Sequence, residues 1–448
     1  MPAKQPPLDG GKMTAEIVII NQQAVALAAD SAVTIGKNKV WKHANKLFSF
    51  GPNNEIGIMI YNSGDFIRVP WEVVVKEFRT HVGGRVFSTL RAFTDEFVGF
   101  VKSSKFSDPH YELLSFGLIF ADVMEKLNDN FDYENRVELQ ANLIADIRHQ
   151  ETALVNFAEL PIPFEYEKFK KKFGSLIKSL AREEFKLRIG RQPLEVLTRF
   201  LFDIIRHEVH SEYYTGVVIA GYGRNELFPS VHHQIFDGKA LGITRCWQSS
   251  KCVDLNAKGN PGAAIIPFAQ SDMAHLFVEG IAPQYLKFLS ETFSGVIKER
   301  SHNIIDNLIG DPDQRLVEKH LQDKESESMQ NAFKAAFEGY RRKAFINPIL
   351  ETIRALPKEE MAYMARAMVE ITALRRRFAS NVESVGGEID VAVISKSDGF
   401  VWINRKHYFD IDLNPDFVER KSMLRGGKNG TGDRQARQAW RARRKSDT

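Results

Sequence analysis

MTAEIVIINQQAVALAADSAVTIG (residues 13–36), KNKVWKHANKLFSF (37–50) and GPNNEIGIMIYNSGD (51–65) follow one another without a break and decide the fold. Between turn signals they are short apolar runs rich in Val and Ile, the pattern of four or five successive strands. Three polar residues stand in this apolar material at an equal interval: Thr14, Asp30 and Lys46, sixteen residues apart and sixteen again. Two returns of a hairpin sheet would carry all three to one end of it.

That triplet has a chemistry. A threonine hydroxyl is a poor nucleophile until a neighbouring base takes its proton. The α-amino group of the same residue, with an ordinary pKa near 8, serves if Thr14 is the first residue of the mature chain. A buried lysine nearby lowers the pKa of hydroxyl and amine alike through its charge, and an aspartate holds that lysine charged and aimed. Each residue alone also has a plain structural meaning. Asp30-Ser31 is good turn chemistry, Lys46 suits a solvated surface, and Thr14 suits any strand.

Together these words resemble the proteasome β subunits and their bacterial peptidase relatives, the N-terminal-nucleophile (Ntn) hydrolases. The resemblance rests on Thr14 opening a strand, LAADSAVTIG at 27–36, KLFSF from Lys46, and SGD at 63–65. It implies an α+β four-layer αββα sandwich and a threonine peptidase. Thr14 is then the nucleophile, activated by Asp30 and Lys46, and Thr34 pairs with the substrate backbone. The backbone of Tyr61 falls at the oxyanion position, where the family has glycine. Val33, Ala44, Phe48 and Met59 map onto its specificity pocket, and Ser271 and Ser384 onto supporting serines. Departures occur around those serines: Ala269 or Gln270 stands for the first of one turn, and Val382 and Val385 stand where an aspartate and a serine belong. The resemblance further implies a peptide or protein substrate, a homo-oligomer, an unfoldase as a further partner, and neither cofactor nor metal. A catalytically inactive scaffold or assembly subunit on the same fold is the alternative.

Family propeptides end in glycine, whereas Met13 precedes Thr14 here. A start at Met13 would let methionine removal expose Thr14, making residues 1–12 an artefact. A start at Met1 would require cleavage of the Met13–Thr14 bond, with 1–13 as a propeptide-like leader.

The chain has 448 residues, 43% hydrophobic and 26% charged, ordinary for a globular protein with ample core. It has no run of eighteen apolar residues, so no membrane span is expected, and the N-terminal dozen residues lack the apolar centre of a signal peptide. Cys246 and Cys252 are the only cysteines, too few for a disulfide framework or a metal site. Cytoplasm is the expected compartment. Residues 420–448 hold ten Lys or Arg against Asp433 and Asp447, so this basic tail carries +8 and the rest of the chain −4. Arg interspersed with Trp440 suits phosphate contact and stacking, but a solvated tail is the simpler reading of the composition, and no nucleic-acid partner is expected.

Outward from the opening strands, residues 66–105 read as two amphipathic helices, with Phe87, Leu90, Phe93, Phe97 and Phe100 at helical spacing. Residues 106–210 continue as helix beyond what the resembled fold requires, and read as an insertion. Strand pattern returns at Tyr213 with a turn at Gly223–Asn225; His232 and His233 fall on opposite faces of the second strand and cannot share a metal. Helices fill 272–378, with a break near Asp311-Pro312-Asp313 and a second insertion at about 300–350. Two strands around Ser397-Asp398-Gly399 close the fold. The expected domain spans 14–419.

Overall fold

The computed structural model describes residues 14–35, 39–41, 44–50, 54–103, 106, 109–127, 136–161, 163, 165–185, 189–269, 272–379, 387–407, 409 and 413–416. The opening stretch forms β1 (Ala15–Asn21), β2 (Ala24–Ala29), β3 (Val33–Ile35), β4 (Lys39–Trp41), β5 (Leu47–Ser49) and β6 (Ile56–Asn62). The expected four or five strands become six because three-residue β3 and β4 form a small hairpin of their own. After a two-stranded turn of β7 (Asp65–Phe66) and β8 (Val69–Pro70) come α1 (Trp71–Val82) and α2 (Leu90–Lys102). Thr89 caps α2 by accepting the Ala92 N–H at 3.1 Å. Then follow α3 (Pro109–Leu127), α4 (Arg136–Leu154), α5 (Tyr166–Phe185) and α6 (Arg191–Arg206).

Strands resume with β9 (Thr215–Gly221), β10 (Ser230–Ala240), β11 (Ile243–Gln248), β12 (Val253–Asp254) and β13 (Ala263–Ala269). The second helical run is α7 (Asp272–Glu279), α8 (Pro283–Leu308), α9 (Pro312–Arg341), a short π-helical turn, α10 (Asn347–Ala355) and α11 (Lys358–Ala379). Asp311 caps α9 through the Asp313 N–H, and Pro312 opens it, so the break falls at 309–311. β14 (Asp390–Ser395) and β15 (Gly399–Asn404) end one compact unit; the described residues after Asn404 belong to a second.

The architecture is mixed α+β, with two main antiparallel sheets. One runs β13-β1-β2-β14-β15, the other β11-β10-β9-β6-β5, with β12 beside β10. Period-2 alternation sorts their side chains. From the first sheet Val18, Ile20, Val25 and Leu27, and from the second Leu47, Met59, Val218 and Val231, share one core between the sheets. On the outer face of the first sheet, Ile17, Ile19, Ala26 and Val393 pack with Ile353, Met361, Ala365 and Val369 of α10 and α11. On the outer face of the second, Phe48, Ile58, Ile60 and Val217 pack with Trp71, Phe78, Phe93 and Phe97 of α1 and α2. At Gly57 the sheets come so close that a Cβ would lie 2.9 Å from Ile394 Cδ1 and from Phe400 Cε2.

Helices α3–α6, between α2 and β9, carry their own core of Phe116, Phe169, Phe173, Leu197 and Leu201. A buried arginine fastens this block to the sheet. Arg245 on β11 donates to Ile205 O at 3.1 Å and Val209 O at 2.7 Å, satisfying carbonyls at and beyond the C-terminal end of α6. It is also ion-paired with buried Asp237, which accepts the Ser211 hydroxyl at 2.6 Å. Arg245→Ala leaves that carboxylate buried without its cation, and should cost about 3–5 kcal/mol in urea unfolding.

Candidate active site at the head of the first strand

Thr14 precedes β1 and Glu16 is its second residue, so at i and i+2 their side chains lie on one strand face. It is the face of Val18 and Ile20, turned toward the other sheet. The Thr14 hydroxyl donates to Glu16 Oε2 at 3.1 Å. Asp30 directly follows β2, and its N–H donates to Ala15 O at 3.1 Å while its Oδ1 accepts the Ala15 N–H at 3.3 Å. Ser31 anchors the next step by donating to Glu388 O just before β14.

Lys46 arrives from the opposite sheet, one residue ahead of β5, with its carbonyl fixed by the Ile60 N–H at 2.9 Å. Its ammonium meets Asp30 Oδ1 at 2.5 Å and Glu16 Oε1 at 3.0 Å. The structure therefore brings Thr14, Asp30 and Lys46 together, and the link between hydroxyl and ammonium passes through Glu16. Thr14, Glu16 and Asp30 are 0% exposed and Lys46 3%.

Two buried carboxylates share one cation here. Burial disfavours the charged form of each group, while the opposite charges restore it. For Lys46 burial pulls the pKa down, but Asp30 and Glu16 outweigh it and hold the ammonium above its ordinary value. For Glu16 burial dominates, assisted by the negative charge of Asp30 and opposed by Lys46, and the carboxyl is pushed up to about 7. Its proton therefore comes and goes near neutrality.

This gives a stability signature. A carboxyl whose folded pKa lies above its unfolded value contributes most while protonated. Its contribution is complete below about pH 4.5, declines as pH rises toward 7, and is a constant cost beyond. Relative to Glu16→Gln, the native chain should lose about 3 kcal/mol of unfolding free energy across that window, at 1.36 kcal/mol per pKa unit. Urea unfolding at several pH values reads it directly; parallel curves for the two proteins would contradict it.

The other expected site residues fall differently. Phe48 faces the helices α1 and α2, whereas Met59 sits in the core between the sheets. They occupy opposite faces of one sheet, so Phe48 and Met59 do not line one pocket as expected; strand alternation, Phe48 facing Ile58 and Leu47 facing Met59, is the reason. Ala44 lies in the loop before Lys46, its N–H donating to Ser31 O at 3.1 Å. Thr34 pairs with Val40 in the β3–β4 hairpin, and Val33 with Trp41.

Tyr61 also departs from its expected use. Ile56 O and Ile60 N–H both serve the β5 side, and Glu55 O and Ser63 N–H the β9 side. By ladder alternation the Tyr61 N–H is directed at β9, where it faces Gly216, rather than toward Lys46. Its ring fills the space over Gly216, where a Cβ would lie 2.0 Å from a ring carbon. The phenol meets His233 Nε2 at 2.9 Å, and burial pushes that imidazole down to about 3, so it stays neutral. His232, on the other face, meets the Thr94 hydroxyl at 2.9 Å. Ser271, Ser384, the leader 1–13 and the tail 420–448 lie outside the described residues.

Glu16 is the site residue that the sequence reading passed over. The signal was present: once β1 is taken to begin beside Thr14, a T-x-E sequence places both polar groups on one face. The two cysteines are poor rivals as nucleophiles, because burial pushes the Cys246 thiol up to about 12 and raises that of Cys252 as well. Among the described residues, no cluster of His, Cys, Asp and Glu could hold a metal ion, and no helix is long and apolar enough to cross a membrane.

No family model matches the sequence, and no curated protein does. Among solved structures the chain is similar to Anbu (ancestral beta-subunit) from Yersinia bercovieri, at 9% identity and a TM-score of 0.25, over 93% of this chain and 98% of that one. At that level the likeness fixes neither fold nor function.

Proposed function

We propose that the chain is a threonine-dependent amide hydrolase acting on peptides, with the Thr14 hydroxyl as nucleophile. The observation that supports it is the meeting of Thr14, Asp30 and Lys46 from the heads and ends of different strands in two sheets. A buried ion-paired ammonium near a hydroxyl has a catalytic use: it steadies negative charge developing on that oxygen, in a site dry enough for the charge to count. We read the facing sheets and their flanking helices as an Ntn-type αββα sandwich, with residues 106–210 and about 300–350 as helical insertions. The hydroxyl attacks the scissile carbonyl, the amine leaves, and water releases the resulting ester. Homo-oligomerisation belongs to the same reading. Turnover of a mixed library of fluorogenic peptide amides tests it, with Thr14→Ala as the blank. Turnover equal in the two proteins would refute the assignment.

The scaffold alternative draws on one observation: Thr14 is fully enclosed and its hydroxyl already satisfied by Glu16. On that reading the cluster is a polar bolt between sheets. Thr14→Ala would then change stability by about 1 kcal/mol, the usual net worth of a hydrogen bond, and nothing else.

A further inference from the structure

We propose that Glu16, rather than a free α-amino group, is the general base that takes the Thr14 hydroxyl proton, so that the site is reactive whether or not Thr14 is the first residue. The inference rests on Thr14 being the nucleophile and goes beyond it by naming the proton acceptor.

Glu16 Oε2 already accepts the Thr14 hydroxyl at 3.1 Å, inside the range over which a general base works. The groups facing Glu16 are few. Thr14 comes from its own strand, Asp30 from the end of β2, and Lys46 from ahead of β5, while Tyr61 on β6 lies near enough to feel its charge. Lys46 cannot take a proton near neutrality, because two carboxylates hold its ammonium charged. Asp30 Oδ1 is committed to that ammonium and to the Ala15 N–H. Tyr61 is pushed well above the usual phenol range, chiefly by burial, and is no base. Glu16 alone combines contact with the reacting oxygen and a protonation equilibrium near neutral pH.

The α-amine, by contrast, exists only after the bond preceding Thr14 has been cut. Glu16 needs no such event. As Thr14 Oγ1 bonds to the substrate carbonyl carbon, its proton passes to Glu16 Oε2. When the C–N bond breaks, that proton goes to the departing nitrogen, leaving an ester on Thr14. Glu16 then takes a proton from the attacking water, whose oxygen bonds to the ester carbon. The Thr14 oxygen leaves and recovers the proton. The products are one acid and one amine, and Glu16 ends as it began.

The test uses a peptide vinyl sulfone, which adds to the hydroxyl without needing the amine. Labelling rates are measured for the full chain with residues 1–13 attached, and for chain beginning at Thr14, each verified by intact mass. The expected result is labelling of both, with rates rising through about pH 7. Glu16→Gln should slow both by about 100-fold or more, the usual share of a general base. Glu16→Asp, one methylene shorter, should keep part of the rate. The inference is overturned if Glu16→Gln labels within about threefold of wild type, or if only chain with a free Thr14 amine reacts. In both cases Thr14 remains the nucleophile. Should Glu16→Gln fail to fold, the wild-type full chain decides, since its Thr14 nitrogen is a peptide amide and no base: a profile flat from pH 5 to 9 sinks the proposal. If no wild-type form is labelled at Thr14, the nucleophile assignment itself fails, and this inference with it.

Discussion

Thr14→Ala is expected to lower kcat/KM on peptide amides by at least about 10⁴-fold, more than 5 kcal/mol of transition-state stabilisation. Neither cysteine can substitute for the hydroxyl it removes. The hydroxyl is hydrogen-bonded to Glu16, and burial holds Cys246 and Cys252 as neutral thiols. The fold should survive. Alanine suits the start of a strand already followed by Ala15, and the loss is one hydrogen bond, worth about 1 kcal/mol. Steady-state kinetics beside a urea unfolding curve separates the two effects. A large loss of stability with a small loss of turnover would place the hydroxyl in the architecture rather than in the chemistry.

Lys46→Ala should produce the largest combined effect. Its ammonium is ion-paired with both Glu16 and Asp30, and without it two fully buried carboxylates face each other. Removing one partner of a buried ion pair costs about 3–5 kcal/mol. The deficit has a sign that can be checked. Without Lys46, burial and the negative charge of Asp30 raise the folded-state pKa of Glu16 still further above its unfolded value. The variant is therefore least impaired at low pH, where Glu16 is protonated, and its deficit grows as pH rises through that raised value. Labelling and turnover should vanish together, since the charge opposite the developing alkoxide is gone. A variant as stable as wild type at pH 8 would mean that Lys46 does not bridge the sheets in solution.

Much of this site is legible in the residues. Apolar alternation over 14–62 gives the strands, and the sixteen-residue interval brings Thr14, Asp30 and Lys46 to one place because the chain reverses between them. The finer geometry is less visible, for one recurring reason: it depends on which face of a strand a residue takes. Phe48 and Met59 appear compatible until the β5–β6 register puts them on opposite faces. The Tyr61 amide suits an oxyanion role until ladder parity turns it toward β9. Glu16 is hidden inside a run that reads as a core strand, where a buried carboxylate needs a cation thirty residues on. β11 escapes notice because Arg245 holds a buried position that alternation would give to an apolar side chain, and the carbonyls around the end of α6 together with the Asp237 carboxylate explain it.

The central claim, Thr14 as nucleophile, is tested most directly by locating a covalent adduct. Wild-type protein is treated with a peptide vinyl sulfone, digested, and sequenced by tandem mass spectrometry. One adduct per chain on the Thr14 oxygen is the predicted result. An adduct on another residue, or an unmodified Thr14 after complete reaction of the probe, would contradict it.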